Sequence, residues 1–187
     1  MHGFGAIDVS GTAAFGDWTN ASPNCRRRGA LVAKNDKGED GPYEITIVYL
    51  FDAPRELVFR NWVDPDNVRT WFAPDNCTVT FCEVDARLGG KWRVEYRYDF
   101  GGSYIEYGEF HEVAEPESLV FSLTQEDGDG NIGPKTLVTV RFASKGAKTE
   151  MTFHQAGFKT STKRDNNIEG WNECFRKLEA HMASGAS

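Results

Sequence analysis

A chain of 187 residues, 40% of them hydrophobic and 26% charged, has the material for one packed domain with a tail and is too apolar for global disorder. Its 21 basic residues against 28 acidic ones leave a formal charge of −7. That balance opposes general affinity for nucleic acid or an anionic membrane, and short basic runs such as Arg26-Arg27-Arg28 and Lys163-Arg164 do not reverse it.

The first 42 residues are rich in Gly, Ala, Ser and Asn and show neither helical nor strand periodicity. They read as a flexible or partly ordered leader, with at most a short element near Leu31 to Ala33. No charged segment followed by an apolar one marks a signal peptide, and no run approaches the roughly 20 apolar residues needed to span a bilayer. A cytoplasmic location without membrane insertion is therefore expected, as a monomer or homodimer.

Residues 43–187 read as one domain. Glu44 to Asp52 is a strand rich in β-branched and aromatic residues. Pro54 opens a helix that presents Val58, Phe59, Trp62 and Val63, and Asp64-Pro65-Asp66 supplies a cap, a first-turn proline and an acid for a second helix presenting Val68, Trp71 and Phe72. Pro74 ends it. Strands are then expected near Cys77–Ala86, Lys91–Asp99, Ser103–Val113, Ser118–Gln125, Lys135–Ala143 and Thr149–Gln155. The glycine-rich or proline-bearing turns between them make these hairpins, hence an antiparallel meander. The chain closes with a helix over Thr162 to Ala183 whose apolar stripe is Ile168, Trp171, Phe175, Leu178 and Met182. A helix of that kind must lie across the sheet.

Several apparent motifs lose their chemistry in this context. Gly128-Asp129-Gly130-Asn131-Ile132-Gly133 matches a dinucleotide-binding pattern, but a strand follows it where a helix is required and acids surround it, so it reads as a hairpin loop. The same loop imitates the start of a calcium site and fails at the sixth and twelfth positions, Ile132 and Val138. His111-Glu112-Val113-Ala114-Glu115 ends in Glu and lies on a strand, so it cannot present two ligands on one helical face. No metal site, cofactor motif or nucleophile elbow is found. Cys25, Cys77, Cys82 and Cys174 show no CxxC spacing and read as reduced thiols, with Cys77 and Cys82 on opposite faces of one strand.

What remains is aromatic. Trp92, Val94, Tyr96 and Tyr98 alternate with Lys91, Arg93, Glu95, Arg97 and Asp99, so the first set faces inward. Phe121 and Phe153 belong to neighbouring strands, and Trp171 and Phe175 to the helix above. Large aromatics fill cores by default. Two adjacent inward phenols also need hydrogen-bond partners, which a polar or liganded cavity provides. On the second of these readings Trp71, Phe72, Trp92, Tyr96, Tyr98, Phe121, Phe153, Trp171 and Phe175 form the wall of a ligand cavity.

The element order, with Trp62-Val63-Asp64-Pro65, Trp71-Phe72-Ala73-Pro74, Arg87-Leu88-Gly89-Gly90-Lys91-Trp92-Arg93, Pro116-Glu117-Ser118-Leu119-Val120-Phe121 and Gly170-Trp171, resembles the activator of heat-shock protein 90 ATPase homologue-like group. That group belongs to the START/Bet v-type (SRPBCC, polyketide cyclase-like) superfamily. The resemblance implies an α+β helix-grip fold: a seven-stranded antiparallel sheet wrapped around a long C-terminal helix, with two short helices after the first strand. It also implies a cavity for hydrophobic small molecules such as lipids, polyketides or aromatic compounds. Relatives often carry a His in the last strand ahead of a Gly-Phe pair. Here Gln155 stands before Gly157-Phe158, and an amide cannot act as a base there.

Three functions compete on this reading. The first is binding of a hydrophobic small molecule between sheet and helix. The second is a cyclase- or hydrolase-type enzyme on a polyketide-like substrate, with Tyr96 or Tyr98 polarising a carbonyl and Glu95 or Glu106 as base. The third is a stress-response or cochaperone-like interaction module, for which the sequence offers no docking motif.

Overall fold

The computed structural model describes residues 30–35 and 42–185, with side chains from 42 onward. The elements run β1 (Ala30–Asn35), β2 (Tyr43–Phe51), α1 (Arg55–Val63), α2 (Pro65–Trp71), β3 (Cys77–Val84), β4 (Lys91–Tyr98), β5 (Ser103–Ala114), β6 (Ser118–Asp127), β7 (Thr136–Lys145), β8 (Lys148–Phe158) and α3 (Ser161–Gly185). The strands form one sheet in the order β1-β2-β8-β7-β6-β5-β4-β3, with every pairing antiparallel. From residue 43 this is the expected helix-grip layout of seven strands, two short helices and one long one. An eighth strand, β1, is added at the edge: Ala30 to Asn35 pair with Tyr49 to Glu44. It lies within the segment read as a leader, the rest of which falls outside the described residues.

Local chemistry accounts for the elements. Ile45, Ile47, Tyr49 and Phe51 alternate inward on β2, the period of a half-buried strand. Asp64 caps α2 by accepting Asp66 N–H at 3.0 Å, and Pro65 fills the first helical position. Along α3 the buried residues are Arg164, Ile168, Trp171, Cys174, Phe175, Leu178 and Met182, the expected stripe plus two.

One expectation about faces is corrected. Cys77 and Cys82 do not point to opposite sides of β3. The register slips between Val79 and Phe81, so that Cys77 opposes Tyr98 and Cys82 opposes Val94, both inward residues of β4. The bulge inserts one residue at Thr80, leaves Thr80 and Phe81 both exposed, and resets the alternation. A second bulge on β5 falls between Phe110 and Glu112, which turns both His111 and Glu112 to solvent.

The core between sheet and α3 is filled from the side by α1. The Trp62 ring lies 4.8 Å from Trp71, 6.1 Å from Phe175, 6.2 Å from Trp171, and 6.3 Å from each of Phe121, Phe142 and Phe153. This one side chain occupies the middle of the space that the sheet and helix enclose. What opening remains is displaced toward the β4–β5 end of the sheet.

Candidate functional site

That opening is a cleft of about 430 Å³ between the first half of α3 and the inner face of β4, β5 and β6, closed on one side by Phe72 to Asp75. Its size suits a small organic molecule. Phe72 and Trp171 form the apolar wall and meet edge to face, with ring centroids 5.5 Å apart. Trp171 is fixed by its Nε1–H, which donates to Gln155 Oε1 at 2.8 Å, while Gln155 Nε2 donates to Thr136 Oγ1 at 2.9 Å. Gln155 thus braces the wall from behind.

The floor is polar. Glu106 and Gln125 are directly opposed on β5 and β6, and Tyr96 reaches them diagonally from β4. Tyr96 O–H donates to Glu106 Oε1 at 2.8 Å, and Gln125 Nε2 donates to the same oxygen at 2.8 Å and to the Tyr96 hydroxyl at 3.3 Å. Burial raises the Glu106 carboxyl above its ordinary range, while the hydrogen bonds from Tyr96 and Gln125 act in the opposite direction. Burial, and next the charge of Glu106, push the Tyr96 phenol well above its ordinary value. Tyr98 and Cys77 are neighbours across the β3–β4 pair, and burial raises both groups. The Tyr96 phenol therefore has the partner its burial requires, and that partner is a carboxyl group.

The rim is acidic. Asp75, Glu169 and Glu173 border the cleft along with Glu106, and Lys163 is the one basic residue among its described lining. Glu173 Oε2 accepts Asp75 N–H at 3.0 Å, and burial raises its carboxyl. Two nearby cations are engaged at the rim itself: Arg176 Nη2 donates to Asp75 Oδ2 at 3.1 Å, and Lys177 Nζ to the Ala73 carbonyl at 2.9 Å.

The aromatic residues singled out in the sequence divide between two places. Phe72, Tyr96, Tyr98 and Trp171 line the cleft. Trp71, Trp92 and Phe121 surround, with Phe72, a separate void of about 20 Å³, large enough for one water. Phe153 and Phe175 have no exposed surface and pack in the core. Glu95 is on the outer face of β4, paired with Arg93 at 2.7 Å. The polar residues Gln125, Glu173 and Cys174 carried no sequence signal, and Glu106 carried only that of an acid on a strand. Among the described residues no cluster of three or more His, Cys, Asp or Glu could hold a metal ion. The glycine loop is a turn in which Asp127 accepts N–H donors of Asp129 at 3.1 Å and Asn131 at 2.9 Å. Among the described residues no helix is long and apolar enough to cross a membrane.

Comparisons with known proteins agree with this architecture. Solved structures with the same fold include an AHSA1 protein from Silicibacter pomeroyi, 22% identical, covering 76% of this chain and 99% of that one with a TM-score of 0.69. A protein from Arthrobacter aurescens is 21% identical over 81% of this chain and 91% of its own, with a TM-score of 0.67. One from Chromobacterium violaceum is 23% identical over 73% and 94%, with a TM-score of 0.66. At these identities the likeness shows the fold alone. No curated protein of described function matches the sequence. The family model described as "Activator of Hsp90 ATPase homolog 1-like protein" matches residues 52–183, from the end of β2 to the last turns of α3, and the chain belongs to that family.

Proposed function

We propose that the protein binds a small molecule with a planar or acyl apolar body in the cleft between α3 and strands β4 to β6. The observation that carries this reading is the cleft itself: about 430 Å³, walled by Phe72 and Trp171 and floored by an ordered Tyr96–Glu106–Gln125 network. Ligand sites combine apolar walls with a few fixed polar groups in this way. Lipids, polyketides and aromatic compounds are the ligand classes that the family resemblance brings, and the dimensions of the cleft accommodate their smaller members.

The reading is tested with prodan, a neutral solvatochromic naphthalene, and by native mass spectrometry of the purified protein. Saturable, blue-shifted prodan emission at one site per chain is expected. Gly170 lines the cleft, and its nearest neighbour in the direction of a side chain is Pro74 at 3.9 Å, so Gly170→Phe fills the cleft without disturbing the core. Undiminished prodan binding by a folded Gly170→Phe protein refutes the assignment of the site.

A further inference from the structure

Resting on that reading, we infer that the cleft selects a ligand whose polar end is a hydrogen-bond donor carrying positive charge, an ammonium or amidinium group on an aromatic body, and that Glu106 is the residue that receives it. The geometry of the floor is the reason. Tyr96 and Gln125 both donate to Glu106 Oε1, and no protein donor of the described residues reaches Oε2. What surface Glu106 exposes belongs to the cleft that it lines. Glu106 is only partly buried, so Oε2 takes its partner from the cleft, from water when the cleft is empty and from a donor on the ligand when it is filled. Gln125 cannot turn to supply it, because its amide is already divided between Oε1 and the Tyr96 hydroxyl. Tyr96 has donated its only proton.

The surroundings reinforce the choice of sign. Glu106, Glu169 and Glu173 border the cleft against Lys163, and Asp75 is satisfied by Arg176. A carboxylate or phosphate ligand would enter a site with a carboxylate floor and a carboxylate rim, whereas a cation meets attraction at both. The apolar body lies on the wall, and the charged end lies on the floor.

The experiment is a competition series against prodan with three naphthalenes sharing one body: 2-(aminomethyl)naphthalene, 2-naphthalenemethanol and 2-naphthoate. The aminomethyl compound should bind at least tenfold tighter than naphthoate, since a charge-assisted hydrogen bond contributes roughly ten- to a hundredfold in affinity. Glu106→Gln should bring the two within a fewfold of each other, while prodan, which has no donor, still reports an intact cleft. Glu169 is exposed on α3, so Glu169→Lys keeps the fold and should weaken only the amine, by a smaller factor. If naphthoate binds as well as the amine while prodan and the methanol still bind, the head-group inference fails and the cleft assignment survives. An amine preference that persists in a folded Glu106→Gln protein also overturns it. If none of the compounds binds, prodan included, both readings fall.

Discussion

Gly108 gives the sharpest test of how the floor of the cleft is built. It sits on β5 opposite Trp92 of β4, two residues from Glu106 and on the same face. A methyl group at this position would overlap the Ser122 carbonyl and lie 2.8 Å from Trp92 Nε1. The Trp92 indole donates to that same carbonyl at 3.1 Å, so the glycine exists to let an indole pass over the backbone. Gly108→Ala must either push β5 away from the indole or expel it from a position where it is only 5% exposed. Overpacking costs about 1–3 kcal/mol, and stranding the indole N–H and the Ser122 carbonyl adds about 1–3 kcal/mol. The expected loss is therefore about 2–6 kcal/mol, a large part of the ~5–15 kcal/mol that holds a domain of this kind together. Urea unfolding followed by tryptophan fluorescence measures it through the shift in midpoint at constant slope. A loss below about 1 kcal/mol refutes the argument, because the strand would then have yielded freely.

Three further outcomes follow from specific contacts. Gly170→Ala should stabilise α3 by up to about 1 kcal/mol, since alanine is the better helix former and its methyl meets only Pro74 at 3.9 Å; a lower melting temperature would contradict this. Burial raises Glu106 above its ordinary value of 4.5, so the native state holds a proton that the unfolded chain has lost, and this group's contribution to stability falls as pH rises from about 4.5. The stability of Glu106→Gln relative to the parent should accordingly improve from pH 4 toward neutrality, and a difference that is flat with pH would show that the carboxyl is not desolvated. Burial pushes the thiols of Cys77 and Cys82 up to about 11, and raises that of Cys174 as well. All three should resist iodoacetamide at pH 7.5 in the native protein and react once it is unfolded, as read by peptide mapping. Rapid native labelling of Cys174 would mean that the wall of the cleft opens.

Much of the fold was legible because its signals are periodic and local. The stripe on α3, the alternation on β2 and β4, and the Asp64-Pro65 cap each lie within one element, and each element formed where its pattern required. The faces of Cys77 and Cys82 were not legible, because a single inserted residue at Thr80 reverses the alternation and no composition signal marks it. The candidate wall was legible as a set of aromatics but not as a site. Whether an inward ring meets solvent or another ring depends on what lies opposite it, and Trp62 from α1 decides that for Phe153, Phe175 and Phe121.

The sequence by itself therefore determined the layers: an antiparallel meander, two short helices and a long amphipathic helix laid across the sheet. Those follow from the spacing of apolar residues along one chain segment at a time. Only the tertiary structure decided which residues share the cleft. Tyr96, Glu106 and Gln125 are brought together by strand register, and Phe72 and Trp171 by the packing of α3 against the end of α2. Hydrogen bonds between residues far apart in sequence leave no periodic trace in it, so the chemistry of the floor appears only once the strands are paired.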